Sequence, residues 1–234
     1  MSLQFIMGNS GSGKSYCLYD TVVREAIENP DKNYLVIVPE QFTMQTQKDL
    51  CLAHPKGGIM NIDVLSFGRL AYRVFEEVGQ DARVVLDDEG KNLVLRKIAG
   101  ECEKDLKVFK GNLKKQGYIS EVKSVLSEFA QYGVDFERLD DFMKEVPPES
   151  YLHYKLDDIR TIYEKFEEYL SEKYITKEEM LDVLSDAVPY SDILKGSVVA
   201  MDGFTGFTPV QNRLIGELFS VCEKVMITVT MDGR

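Results

Sequence analysis

Eight residues near the start of the chain, Gly8-Asn9-Ser10-Gly11-Ser12-Gly13-Lys14-Ser15, carry the spacing G-x-x-x-x-G-K-S. The pattern restricts the fold, because it works only as a tight turn between a strand and the N-terminus of a helix. Its flanks meet that demand. Leu3-Gln4-Phe5-Ile6-Met7 is apolar enough for a short buried strand, and Tyr16 to Val23 suits a helix. Gly8, Gly11 and Gly13 let the backbone turn with positive φ and approach a ligand closely. The amides then form an anion nest at a helix N-terminus. In that arrangement Lys14 reaches the β and γ phosphates of ATP, and the Ser15 hydroxyl holds Mg2+. The whole loop, Gly8 through Ser15, is therefore the candidate nucleotide-binding element.

The rest of the chain supplies a sheet for such a loop. Asn33 to Val38 is a continuous apolar run ending in Pro39-Glu40-Gln41, and a helix follows through Thr46 to Cys51. Asn61 to Ser66 reads as another strand. Strand character disappears between residues 86 and 190 and returns at Ser197–Asp202 and Val225–Thr230. Helical stripes fill the gap: Ile119, Val122, Leu126 and Phe129, then Leu152, Leu156, Ile159, Tyr163, Phe166 and Leu170. Pro147, Pro148 and Ser150 mark the start of the second of these helices. Thr176 with Glu179 reads as a capping box. The expected fold class is α/β: a P-loop NTPase (RecA-like) parallel sheet built from residues 1–75 and 192–234, with an all-helical insertion at 76–191. The last residues, Met231 to Arg234, follow directly on a strand, so a fragment of a longer domain is expected.

Composition excludes several classes. The four cysteines, Cys17, Cys51, Cys102 and Cys222, are too dispersed for a metal site or disulfide framework. Two histidines, His54 and His153, make a histidine triad or metal cluster improbable. No run reaches transmembrane length and no secretory leader is evident, so a cytoplasmic chain without membrane association is expected. A net charge of −11 argues against a broad positive field for nucleic acid and confines any DNA contact to a local groove.

A phosphate loop needs a partner acid for Mg2+ at the carboxyl end of a neighbouring buried strand. Asp202, after Val198-Val199-Ala200-Met201, fits; a turn aspartate before Gly203 is the plainer alternative. Gly203 stands where hydrolysing helicases carry a glutamate that handles the attacking water. Without that base, hydrolysis is expected to be slow, because such assistance is typically worth about 10² to 10⁴-fold.

Four stretches together resemble a known family: Gly8 to Ser15, Val38-Pro39-Glu40-Gln41-Phe42-Thr43, Val64-Leu65-Ser66-Phe67-Gly68-Arg69-Leu70 and Met201-Asp202-Gly203-Phe204-Thr205-Gly206-Phe207-Thr208-Pro209. The chain is similar to superfamily-one helicases of the UvrD type and, more closely, to the N-terminal part of AddB subunits of bacterial AddAB helicase-nucleases. That resemblance implies a role in processing double-strand DNA breaks for recombinational repair, beside an AddA-like subunit with the principal motor. It implies an iron–sulfur nuclease domain elsewhere in the full-length family member, not within this chain. It also implies that loops after the second and third strands touch single-stranded DNA. The matching positions are Gln41, Phe42, Thr43, Ser66, Phe67 and Arg69. Phe42 and Phe67 would stack on bases and Arg69 would pair with phosphate; alternatively both rings are core and Arg69 caps a helix. A lysine cluster, Lys107, Lys110, Lys114 and Lys115, beside Phe109 and Tyr118, is either a duplex contact or a solvated helix end. Two rival functions are a small-molecule P-loop kinase, disfavoured by the long separation of Lys14 from Asp202, and a non-enzymatic nucleotide-binding scaffold.

Overall fold

The computed structural model describes residues 2–79, 83–112, 115–171 and 173–231. In chain order its elements are β1 (Ser2–Gly8), α1 (Lys14–Glu28), β2 (Tyr34–Ile37), α2 (Thr43–Ala53), β3 (Ile62–Leu65), α3 (Phe67–Val78), β4 (Val84–Leu86), α4 (Asp88–Glu101), α5 (Gln116–Tyr132), α6 (Phe136–Glu145), α7 (Tyr151–Leu170), β5 (Tyr174–Thr176), α8 (Glu179–Ala187), β6 (Val198–Met201), α9 (Pro209–Val221) and β7 (Lys224–Thr230). They form two compact units, Met1–Asp81 with Leu181–Arg234, and Ala82–Met180.

The first unit is an α/β layer on a parallel sheet of order β1-β7-β6-β2-β3. Strands from both ends of the sequence thus share one sheet. Tyr34–Ile37 and Val198–Met201 are apolar without alternation and buried throughout, as strands covered on both faces must be. On one face Leu18, Val22, Val23 and Ala26 of α1 pack against Tyr34, Val36, Ala200 and Met226, with Leu50 of α2 joining them. The expectation of a buried first strand is overturned. β1 lies at the sheet edge, and its Leu3, Phe5 and Met7 are 47, 48 and 60% exposed. Ile6, on the alternate face, packs against the core. Apolar content does not distinguish an edge from a centre; pairing does, and β1 pairs on one side alone.

In register, Phe5, Ile227, Met201, Ile37 and Leu65 stand side by side across the five strands. The segments just past that row therefore gather along one edge: the glycine loop, Pro39 to Phe42, Ser66 and Asp202. Crevices outside the carboxyl ends of parallel strands are where such sheets bind ligands.

The second unit packs α4, α5, α6 and α7 around Leu95, Ile98, Ile119, Val122, Leu126, Leu156, Ile159, Ile162, Phe166 and Leu170. It is not all-helical, because β4 and β5 pair as a short parallel sheet. Three-residue strands are too brief to show a period of two, which is why the sequence reads as helix and loop there. Leu152, at the exposed start of α7, lies outside the core at 48% exposure. Ser150 caps α7 by accepting from the His153 amide at 3.1 Å. Thr176 and Glu179 make the reciprocal bonds of a capping box. Buried Asp158 accepts the backbone amides of Lys107, Val108 and Phe109 at 2.8, 2.7 and 2.8 Å, fixing the irregular segment after α4. In the lysine cluster, Lys107 pairs with Asp157 at 2.9 Å, Lys115 donates to Asn112, and Phe109 is core; Lys114 lies outside the described residues. Among the described residues, no helix is long and apolar enough to cross a membrane.

Candidate nucleotide site

The loop between β1 and α1 is shaped by its glycines. Gly11 and Gly13 take φ of 75° and 85°, and Gly13 is the left-handed cap residue from which α1 starts. A Cβ on Gly8 would lie 2.4 Å from Ser12 Oγ and 3.3 Å from Ser12 Cβ, so the loop closes tightly over this position and Ser12 would have to turn aside for a side chain there. The Ser12 amide donates to the Asn9 carbonyl at 3.2 Å. Lys14 folds back along the turn, its Nζ donating to the same carbonyl at 2.7 Å. Asn9 to Gly13 and Ser15 are exposed.

Asp202 sits one residue past β6, 6% exposed, its amide donating to the Ile37 carbonyl at 3.1 Å. Its carboxylate is held from two sides. Tyr19 of α1 donates to Oδ2 at 2.7 Å, and Thr228 of β7 donates to Oδ1 at 2.5 Å. Tyr19 lies one helical turn beyond Ser15, so the helix that begins in the glycine loop touches the acid. Its phenol oxygen is also 3.2 Å from Thr46 Oγ1 of α2. Because the single phenolic hydrogen goes to Asp202, Thr46 is the donor there. Burial, and then the bond to Asp202, raise the Tyr19 pKa above the ordinary range, with Thr46 opposing. A cavity of about 580 Å³ opens beside these groups, between Ser15, Tyr16 and Tyr19 of α1 and Asp49 and Leu52 of α2.

The donor set at this edge is of hard oxygens, Ser15 and Asp202, which suits Mg2+ completed by phosphate and water. Each carboxylate oxygen of Asp202 keeps a lone pair beyond the hydroxyl it accepts. Among the described residues, no group of three or more histidines, cysteines, aspartates and glutamates is arranged to hold a metal by itself.

Gly203 takes φ of 78°, and a Cβ there would point at Phe42 Cδ2 and Pro39 Cδ, 3.4 and 3.5 Å away. Phe204 follows, 5.3 Å from the Phe67 ring and 5.1 Å from Phe207. The six loop positions separate accordingly. Gln41, Phe42 and Arg69 are exposed, whereas Thr43, Ser66 and Phe67 are 5, 6 and 7% exposed. Thr43 donates to the Glu40 carbonyl, and Ser66 caps α3 by accepting the Arg69 amide at 3.3 Å. Phe67 thus occupies the core alternative. Arg69 Nε bonds Glu40 at 3.2 Å, and Glu40 also accepts from the Ser66 hydroxyl.

Four residues of this edge, Tyr19, Thr46, Thr228 and Glu40, do not stand out as site residues in the sequence. For Thr228 a signal exists: it is a polar residue within the otherwise apolar run Val225 to Val229. Tyr19 offers none, because its partners lie 27 and 183 residues away.

Comparison with known proteins bears on the whole chain. A family model described as "ADDB, N-terminal" matches residues 5–234. Similar proteins are named as the B subunits of ATP-dependent helicase/deoxyribonucleases. The one from Lachnoclostridium phytofermentans is 48% identical over 99% of this chain, and those from Clostridium kluyveri and Clostridium tetani are 39% and 37% identical over all of it. The chain spans 20% of the length of each of these relatives. It belongs to the AddB N-terminal family.

Proposed function

We propose that the sheet unit is a RecA-like P-loop domain that binds ATP with Mg2+, gripping the phosphates with the Gly8–Ser15 loop. Lys14 would swing from the Asn9 carbonyl to the β and γ phosphates, and Ser15 with Asp202 would hold Mg2+, which when bound neutralises charge on the phosphate oxygens. The observation that carries the reading is the Tyr19–Asp202 hydrogen bond, which joins the loop's own helix to the acid at the carboxyl edge of the sheet. The wider reading, which the relatives' names support, is an N-terminal, helicase-like region of the AddB component of a helicase-nuclease. That assembly would process double-strand DNA breaks for recombinational repair in the cytoplasm, beside an AddA-like motor subunit. The iron–sulfur cluster belongs to the remainder of such an AddB protein.

Weak or absent motor activity fits Gly203. No carboxylate follows Gly203 within the next several residues, and Glu40, in the segment after β2, is committed to Ser66 and Arg69. Single-strand contact, if made by the loops after β2 and β3, falls to Gln41, Phe42 and Arg69. The test is a titration with fluorescent N-methylanthraniloyl-ATP, together with phosphate release with and without single-stranded DNA. Saturable binding that Lys14→Ala weakens at least about tenfold, with slow release that DNA does not accelerate, is expected. Affinity unchanged by Lys14→Ala would overturn the nucleotide site; fast release would overturn the account of Gly203.

A further inference from the structure

We infer that Tyr19 is a positioning residue for the metal-side acid: with Thr228 it clamps the Asp202 carboxylate so that its remaining lone pairs face the hydrated Mg2+ of the nucleotide. The inference rests on the nucleotide reading above and extends it to a residue outside the phosphate loop.

The geometry is specific. A nearly buried carboxylate at a strand end has two torsions to settle, and one bond would leave it free to swing. Here each oxygen accepts one hydroxyl, from opposite elements: Tyr19 on the helix following the loop and Thr228 on the neighbouring strand. Both oxygens are thereby fixed in the plane they define. Tyr19 also accepts from Thr46 on α2, but the bonds to the acid itself come from α1 and β7. Groups that orient a metal-side acid commonly change metal affinity by about tenfold or more when removed, although they never touch the ion. A tyrosine that only filled space would need no hydroxyl; one that stood in the metal's place would weaken Mg2+ binding rather than support it. Placement on α1, one turn beyond Ser15, has a further consequence. Any shift of that helix when phosphate enters the loop is passed directly to the acid.

The test uses the full chain and N-methylanthraniloyl-ATP, titrated in Mg2+ and in EDTA. The quantity read is the gain in affinity that Mg2+ confers. Tyr19→Phe keeps the ring and loses only the hydroxyl; it should cut that gain by about tenfold and leave the affinity in EDTA unchanged. Thr228→Val should do the same from the other oxygen. Thr46→Val, which removes a bond to Tyr19 but none to Asp202, should keep most of the gain. Electron paramagnetic resonance of Mn2+ in the nucleotide complex should show a broadened, more mobile ion in Tyr19→Phe. An unchanged gain in Tyr19→Phe overturns the inference, as does a larger gain, which would make Tyr19 a competitor of the metal. An equal loss in Thr46→Val would also overturn it, by tracing the effect to loosened packing of α1 on α2. If the unaltered chain binds no better than Lys14→Ala in either buffer, the nucleotide reading itself fails and this inference falls with it.

Discussion

Backbone conformation at one residue, Gly203, decides how much chemistry this edge could regain by substitution. With φ at 78°, a side chain incurs the left-handed penalty, about 1 to 2 kcal/mol for an L-residue. Its Cβ has room, since Phe42 and Pro39 stand at ordinary contact distance, so strain rather than clash sets the cost. Gly203→Ala should therefore lower unfolding free energy by about 1 to 2 kcal/mol in urea denaturation. Gly203→Glu should carry the same strain and raise phosphate release by less than about tenfold, because its side chain leaves toward Phe42 and Pro39; a full 10²-fold rise would show the position to be a competent base site. A different residue governs the helical unit. Asp158, 1% exposed, accepts three consecutive amides, and Asp158→Ala would leave all three without their partner. A loss of about 3 kcal/mol is expected, read as an earlier loss of helical circular dichroism. Neither role is visible in the sequence: positive φ is not encoded by the letter G, and Asp158 falls on an apolar-striped helix where an acid reads as a solvated face.

Elements supply the next level of constraint, and the meeting of Glu167 on α7 with Glu179 at the start of α8 gives it a pH dependence. Burial, then the charge of Glu179 and a hydrogen bond to it, push the Glu167 carboxyl up to about 7. The sign follows from linkage. In the folded chain this group stays protonated to about pH 7, whereas unfolded it ionises near its ordinary value of 4.5. The native state therefore binds the extra proton in that window, and stability falls as pH rises through it, levelling above about pH 7. Comparing denaturation midpoints at pH 5 and pH 8, Glu167→Gln should show a smaller fall than the unaltered chain; equal falls would place the proton elsewhere in the pair. Residue types make most elements legible: the unalternating runs of β2 and β6, the stripe of α7, Ser150 at its cap and the Thr176–Glu179 box. β1 misleads because edge and centre share a composition, and β4 and β5 are too short to register. The loop stands out as a candidate because its spacing is local, and Asp202 because it follows an unbroken apolar run. Tyr19 does not, because its partners are far away in the chain, and Thr228 shows only as a polar residue in an apolar run, its role arising when β7 is laid between β1 and β6.

Across the whole molecule, the question is whether the sheet unit depends on the segment that interrupts it. Each unit has its own core: Leu18, Val22, Tyr34, Val36 and Met226 on one side, and Leu95, Ile98, Ile119, Ile159 and Phe166 on the other. Within the inserted unit, β4 and β5 pair in parallel with Val84 opposite Tyr174, so the segment's entry and exit strands run side by side. With a core of its own on each side, the inserted segment can be exchanged for a flexible bridge. Loop closure favours this as well, since entropy cost grows with the logarithm of loop length and a short flexible bridge costs less than a long one. Replacing Ala82–Met180 by a short glycine–serine linker should leave a sheet unit that unfolds in one cooperative transition. All proposed ligands of the nucleotide, Gly8 to Ser15 and Asp202, lie outside the excised segment, as do Tyr19 and Thr228. Affinity for N-methylanthraniloyl-ATP should therefore stay within about threefold of the parent, a change below about 0.7 kcal/mol by the ordinary conversion of affinity to free energy. The bare apolar face of β1, with Leu3, Phe5 and Met7, is common to parent and excised chain and so does not bias the comparison. Should the excised chain fold but lose the nucleotide, the inserted unit would have to act on the loop or on Asp202, and the site would no longer be a property of the sheet unit alone.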